Sequence, residues 1–253
     1  MPHPLPLTGE RTLPGVPGED YWFARHEAVY RWVVERYADR LRDGVVVEAG
    51  SGEGYGARML HDAGARLVLA LELDEAAARH AATAYPAVTT SRANLAALPV
   101  ADASADLLVC LQVVEHLWDL AAFLRDCRRV LRPGGVAVVS TPNRPVFSPG
   151  LGRGEKPTNP FHVEELDAEQ LDERLRAAGF ADVDVRGLHH GGRIAAWESA
   201  GGTGIVAAQV AVVTGSGLVP DDLDAFVSTV TVDDFEVGDA EGSQDLVAVA
   251  VAP

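Results

Sequence analysis

The stretch Val45-Val46-Val47-Glu48-Ala49-Gly50-Ser51-Gly52-Glu53-Gly54-Tyr55-Gly56 decides how the rest of the chain is read. Three consecutive β-branched residues suit a short strand covered on both faces. An acidic residue follows, then four glycines at alternate positions, and Ala57-Arg58-Met59-Leu60 opens a helix. Strand, glycine turn and helix in this order build a crevice at the carboxyl end of a parallel strand. Glycine lets the backbone turn tightly and a ligand approach closely, and the following helix offers free N–H groups to an anion. Gly52, Gly54 and Ala57 satisfy the relaxed G-x-G-x-x-G/A pattern, which is weak alone and depends on this strand–helix context. Glu48 narrows the choice. A carboxylate closing a buried strand needs a partner, and a cationic ligand group is expected to supply one.

Outward from this stretch, the pattern alternates strand and helix. Leu67 to Leu71 form a second strand, ending in Glu72 and Asp74. An acidic residue about twenty positions past the glycines is where dinucleotide folds hold a ribose diol, and Glu72 is the better placed of the two. Asp74 reads as the N-cap of a helix from Glu75 to Ala84. Ala87 to Ser91 is a weak third strand, followed by Asn94 and Leu95 in a loop. The fourth strand, Asp106 to Gln112, runs into Val113-Val114-Glu115-His116-Leu117-Trp118-Asp119. A helix to about Val130 stops at Arg132-Pro133-Gly134-Gly135. The fifth strand, Val136 to Ser140, is closed by Thr141-Pro142-Asn143.

A loop then spans 143–165, with Asn159-Pro160-Phe161-His162 near its end. A loop this long has a functional reading, here as a substrate loop. Asp167 caps the next helix. Phe180 to Leu188 is a sixth strand ending in His189-His190. Residues 191–243 exceed a minimal fold and read as an insertion of about two helices over the substrate opening, including the Ile205 to Val213 segment. Leu246 to Val251 is the last strand.

The N-terminal 40 residues read as an extended arm followed by a helix near Tyr21, which Asp20 can cap. Trp22, Val29, Val33 and Tyr37 form its apolar stripe. Tyr21, Trp22, Phe23, Arg25 and His26 cluster ahead of the glycine motif, so this helix reads as packing or as a lid over a ligand. Residues 41–253 form the main domain.

Composition excludes several classes. The formal net charge is −16, with 37 acidic and 21 basic residues, which opposes non-specific binding to nucleic acid or to an anionic membrane surface. Lys156 is the only lysine, and no G-K-[ST] sequence supports a P-loop. No apolar run reaches membrane-span length, and the proline-rich start lacks a signal-like apolar core. A soluble, cytoplasmic protein is expected. Cys110 and Cys127 read as two buried thiols.

Glu48-Ala-Gly50-Ser-Gly52-Glu-Gly54 resembles the first motif of class I S-adenosylmethionine-dependent methyltransferases. The order strand, Glu115-His116, helix, Leu131-Arg-Pro-Gly-Gly135, strand is similar to that of small-molecule members. The resemblance implies a Rossmann-like seven-stranded α/β sheet of order 3-2-1-4-5-7-6, with strand 7 antiparallel. It also implies S-adenosylmethionine as cofactor, held by Glu48, Gly50, Gly52, Gly54, Tyr55, Glu72, Leu73, Asn94, Leu95 and Gln112, with Tyr21 from the lid helix.

Further segments recur: Gly9-Glu10-Arg11-Thr12, Tyr21-Trp22-Phe23, Ser140-Thr-Pro-Asn-Arg144, Asn159-Pro-Phe-His162 and Asp233-Asp234-Phe235. Together they resemble an actinobacterial group associated with O-methylation of methylglucose lipopolysaccharide. That implies a saccharide hydroxyl as acceptor, such as O6 of a glucose in an α-glucan.

Methyl transfer needs alignment of acceptor and methyl group, exclusion of water, and removal of the hydroxyl proton. His116, directly after the fourth strand, is the first candidate base, beside Glu115. His162 and His189 are alternatives, and each of these histidines also has a purely structural reading. Glu115, His116, His162 and Asp119 could hold Mg²⁺ or a softer ion, but no tight ligand spacing demands a metal. A small natural product or phenol is the alternative acceptor. A nicotinamide-dependent oxidoreductase and a non-catalytic binding module are the rival classes.

Overall fold

The computed structural model describes residues 5–6, 11–200, 204–208 and 221–253. Gly9 and Glu10 of the N-terminal motif, most of the first ten residues, and the 209–213 part of the expected apolar segment lie outside them.

Eight strands form one sheet of order β3-β2-β1-β4-β5-β8-β6-β7. They are β1 (Val45–Ala49), β2 (Leu67–Glu72), β3 (Thr89–Arg92), β4 (Ala105–Leu111), β5 (Leu131–Pro142), β6 (Ala181–His190), β7 (Phe235–Asp239) and β8 (Asp245–Val251). Strands β1 to β5 pair in parallel. Strand β8 enters antiparallel between β5 and β6, as the resemblance implied. The Rossmann-like methyltransferase sheet is therefore present with one addition. The expected insertion ends in a strand, because Phe235–Asp239 pairs antiparallel with Arg186–His190 at the free edge of β6. Only Phe235 of that strand is buried, as expected of a short edge strand.

The helices are α1 (Asp20–Arg36), α2 (Ala38–Leu41), α3 (Tyr55–Asp62), α4 (Glu75–Ala84), α5 (Leu120–Val130), α6 (Arg144–Phe147), α7 (Ala168–Ala177), α8 (Gly192–Ser199) and α9 (Asp221–Val227). Side chains alternate across the pleat, so each central strand serves two cores. Val46, Leu107 and Val109 pack with α1 and α3 on one face. Val47, Leu108 and Cys110 pack with α5 and α7 on the other. Both cysteines are buried and free.

Local signals behave as their chemistry demands. Asp74 and Asp167 cap α4 and α7, the latter in a full capping box with Gln170. Asp20 does not cap. It is the first residue of α1, where its charge favours the helix N-terminus instead. Arg132 to Gly135 does not separate helix from strand as expected. Leu131 already pairs with Ala105, and the register shifts before Leu107 meets Val136. The Pro-Gly-Gly turn is thus absorbed as an irregularity within β5. Among the described residues, no helix is long and apolar enough to cross a membrane.

Candidate active site

The strand order reverses direction between β1 and β4, and a cavity of about 320 Å³ opens at their carboxyl ends. Its floor is the glycine loop, Gly50 to Glu53, and its walls come from Glu72-Leu73, Asn94-Leu95 and Leu111 to Val113. Arg11, Thr12, His26 and Tyr30 close it from the N-terminal side. His116 and Leu117 stand at its other end.

The glycine loop is built by backbone conformation. Gly50, Gly52 and Gly54 have φ of +83°, +55° and +104°, where a side chain is strained. At Gly50 a Cβ would lie 2.5 Å from Val113 Cγ2, so this glycine lets the β4 loop close over β1. At Gly52 the same atom would meet only Arg11 Cγ, at 3.9 Å, so that position looks into open space. Gly56 does a different job. A Cβ there would fall 2.1 Å from Tyr30 Cζ, and its absence lets the Tyr30 ring reach the strand end.

Glu72, the carboxylate expected to meet a ribose, closes β2 and lines the cavity. Its carboxylate accepts from the Gly52 and Asp74 N–H groups, both at 2.8 Å, which ties the end of β2 to the glycine loop. Leu73 is exposed and Leu95 buried, and both line the cavity with apolar surface. Asn94 lines the cavity, with its Oδ1 accepting from Ala96 N at 2.9 Å. Gln112 has φ +55°, uncommon for a non-glycine residue and typical of functional sites. Its side chain is held by Ser140 Oγ and the buried Arg25 guanidinium. Arg25 is itself paired with the buried Asp245. Backbone approach, a carboxylate for a diol, and apolar walls fit S-adenosylmethionine.

Two expected contacts are placed differently. Glu48 lies behind the cavity rather than in it, with its Oε1 accepting from Tyr30 Oη at 2.6 Å. One of its carboxylate oxygens is thus held by a phenol brought from α1. Tyr21 is fully buried and also outside the lining. Its hydroxyl donates to His190 Nε2 at 2.7 Å, while His190 Nδ1 meets Glu198 at 3.1 Å. From α1, His26 and Tyr30 reach the cavity instead.

Burial raises Glu48 from the ordinary 4.5 to about 8, against the lowering effect of the Tyr30 hydrogen bond. The folded chain keeps this proton while the unfolded chain releases it. The associated stability is complete below the unfolded pKa of 4.5 and is lost as pH rises towards 8. Glu48→Gln cannot ionise, so its melting temperature is expected to fall less than the wild type's across that interval. Parallel curves for the two proteins would refute this account.

Burial, reinforced by the Arg25 charge, lowers His26 to about 3. It is therefore neutral near pH 7 and can join the hydrogen-bonded set of Thr12 Oγ1 and Tyr55 Oη at 3.3 and 3.4 Å. Thr12 and Tyr55 hydroxyls lie 3.1 Å apart, so the N-terminal arm is stitched to the start of α3.

At the other end, Glu115 is buried and accepts from Thr141 Oγ1 at 3.1 Å. Burial raises its pKa, and the two nearby imidazoles lower it. His116 Nδ1 meets the Phe161 carbonyl at 3.1 Å, and Val163 N donates to the Glu115 carbonyl at 2.7 Å. These bonds bring the long loop onto the turn after β4. The loop's earlier half is anchored by buried Arg144, which pairs with Asp167. His162 follows, its Nδ1 2.7 Å from Glu165.

Two candidates fall away from this cluster. His189 donates to the Asp239 carbonyl at 2.6 Å and braces β7, apart from the cavity. Asp119 caps α5 through Ala122 N at 2.8 Å and is not grouped with the Glu115, His116 and His162 ligand atoms. Ser51, Glu53, His26, Tyr30 and Val113 line the cavity without having been singled out as contacts. The Arg11-Thr12 segment was visible only as part of a recurring motif.

Comparison with known proteins identifies the family. A family model described as a methyltransferase domain matches residues 47–139. A Mycolicibacterium smegmatis protein named as a probable S-adenosylmethionine-dependent methyltransferase is 48% identical over 258 residues, covering 100% of this chain and 97% of its own. A Mycobacterium tuberculosis protein with the same kind of name is 46% identical, covering 100% of this chain and 91% of its own. Among solved structures, a Thermotoga maritima S-adenosylmethionine-dependent methyltransferase superposes with a TM-score of 0.59 at 19% identity. It covers 92% of this chain and 93% of its own, and supports the fold alone. These relatives do not favour the nicotinamide alternative. The chain belongs to the S-adenosylmethionine-dependent methyltransferases, and S-adenosylmethionine is its cofactor.

Proposed function

We propose that the chain transfers a methyl group to a saccharide hydroxyl, with O6 of a glucose in an α-glucan as the first acceptor to test. The carrying observation is aromatic. Trp118 and Phe161 are 91% and 56% exposed; Trp118 follows His116 by two residues, and the Phe161 carbonyl bonds the His116 ring. Exposed aromatic faces of this size mark binding surface. A pyranose ring presents a flat C–H face that such rings accommodate, and a hydroxyl beside it would then reach His116.

In this reading Glu72 holds the ribose diol, and Leu73, Asn94 and Leu95 enclose the adenine. The glycine loop with Gln112 supports the remainder of the cofactor. When bound, the cofactor supplies an electrophilic methyl group on a sulfonium. His116 is the acceptor-activating residue, while Glu115 and His162 position it. Helix α1 covers the cofactor end through His26 and Tyr30. The strongly negative charge argues for a small-molecule acceptor over a nucleic acid. Two free buried thiols suit a reducing, cytoplasmic setting.

The test is transfer of a labelled methyl group to short α-glucans, mannosides, glycerate glycosides and simple phenols. Labelled glucan supports the reading and allows the methylated oxygen to be located. Label in phenol alone would replace it with tailoring of a small natural product. Trp118→Ala is expected to raise the acceptor KM by about fivefold, one lost stacking contact of roughly 1 kcal/mol. The cofactor KM should stay unchanged. An unaltered acceptor KM would remove Trp118 from the acceptor surface.

A further inference from the structure

One ring nitrogen each from His116 and His162 and one Glu115 carboxylate oxygen lie within 4.8 Å of one another. The outer partners of this group share a pattern. His116 Nδ1 faces the Phe161 carbonyl at 3.1 Å, which can only accept, so Nδ1 carries the proton and Nε2 the lone pair. His162 Nδ1 faces the Glu165 carboxylate at 2.7 Å, with the same consequence when that carboxylate is ionised. Glu115 has one oxygen bound to Thr141 Oγ1 and the other turned towards His116. Imidazoles that bind metals are oriented in this way, by a carbonyl or carboxylate on the far nitrogen.

The spacing agrees. His116 Nε2 and Glu115 Oε1 are 4.0 Å apart, too far for a hydrogen bond. Two ligands each about 2.0–2.2 Å from a shared ion stand roughly 3–4 Å apart. At His162 Nε2 the Asn159 amide nitrogen donates at 3.0 Å, so a cation bound there displaces this amide. Each ligand also has a fixed support: Glu115 on Thr141, His116 on the loop carbonyl, His162 on Glu165.

We propose that Glu115, His116 and His162 form a binding site for one divalent cation of borderline softness, such as Mn²⁺, Co²⁺ or Zn²⁺. Two imidazoles and one carboxylate suit these ions better than Mg²⁺ or Ca²⁺, which prefer all-oxygen sites. Three protein ligands leave positions open for an acceptor oxygen. The role of the ion rests on the hydroxyl acceptor proposed above, whereas the site does not. In that role the ion polarises the acceptor O–H, and the proton leaves to water. The acceptor oxygen forms the new bond to the methyl carbon. The carbon–sulfur bond breaks with its electron pair staying on sulfur, giving the methyl ether, S-adenosylhomocysteine and one proton.

The test uses the full chain without acceptor, stripped with a chelator and dialysed. Mn²⁺ is titrated by the loss of its free-ion resonance signal, and Co²⁺ by its visible absorption. One bound equivalent per chain is expected. Glu165→Gln should weaken binding about 10- to 100-fold through the outer contact alone. His162→Ala should weaken it at least as much. Neither residue lines the cofactor cavity, so retained S-adenosylmethionine binding certifies that each variant is folded. No stoichiometric binding by the wild type, or equal affinity in the folded variants, would overturn the site. Failure to methylate any saccharide leaves this result untouched, so the two proposals fail separately.

Discussion

Gly52→Val should weaken S-adenosylmethionine binding by at least about 100-fold while the protein remains folded. Gly52 has φ +55° and a Cβ direction that meets only Arg11 Cγ at 3.9 Å, so the added side chain projects into the cavity instead of the core. The left-handed backbone adds about 1–2 kcal/mol of strain for a residue with a Cβ, and a β-branched one is the worst case. Relief by backbone rotation would swing the Gly52 N–H away from Glu72, losing the 2.8 Å bond that aligns the loop with β2. Both routes damage the same site. Calorimetric titration with the cofactor measures the loss, and thermal unfolding checks the fold. Gly54→Val supplies the contrast: its Cβ would lie 2.8 Å from Ala81 Cβ and 2.9 Å from Tyr85 Cδ2 at φ +104°. That variant should lose stability as well as cofactor. Normal affinity in Gly52→Val would refute the glycine-loop assignment.

Gly52 could be read from sequence because its meaning is local. A strand, a glycine turn and a helix within 16 residues fix which backbone faces the crevice, and Glu72 follows at the distance one crossover helix requires. The strands were announced by their own apolar runs and turns, the third only weakly, whereas their order was implied by the family resemblance. What escaped reading depends on contacts between distant segments. Glu48 was read as needing a cationic partner, and nothing announced that Tyr30 is brought to one of its oxygens across the end of β1 by a helix whose stripe gave no sign of register. Tyr21 was given to the cofactor, yet its hydroxyl meets His190, 169 positions away.

The paired histidines show the limit most clearly. His189 and His190 are adjacent on β6, so their side chains project to opposite faces. His190 turns to α1 and Tyr21, while His189 turns to the Asp239 carbonyl. Which does which depends on strand register, and a one-residue slip would exchange them. Strand β7 was missed because five residues with one buried side chain carry little periodicity. His116 was singled out for its place in the turn after the fourth strand, on the ligand edge, and it lines the cavity.

His116→Ala should lower turnover by about 10²–10⁴ with S-adenosylmethionine affinity changed by no more than a few-fold. The asymmetry follows from where the residue stands. His116 borders the cavity at the end away from Glu72, Leu73, Asn94 and Leu95, so truncation leaves the proposed cofactor contacts in place. Its own supports belong to the acceptor side: the Phe161 carbonyl on one nitrogen and Glu115 facing the other at 4.0 Å. The loss belongs to proton removal from the acceptor, and it has the same order whether the imidazole takes the proton or holds an ion that acidifies the hydroxyl. The neighbouring variants separate these routes. If the imidazole acts alone, His162→Ala perturbs only its setting and added Mn²⁺ changes nothing. If a cation acts, His162→Ala falls as far as His116→Ala, and a chelator reproduces both losses in the wild type. Single-turnover transfer to the best acceptor, with cofactor saturating, isolates this step from binding. Near-normal turnover in His116→Ala, with and without chelator, would move acceptor activation away from the turn after β4 altogether.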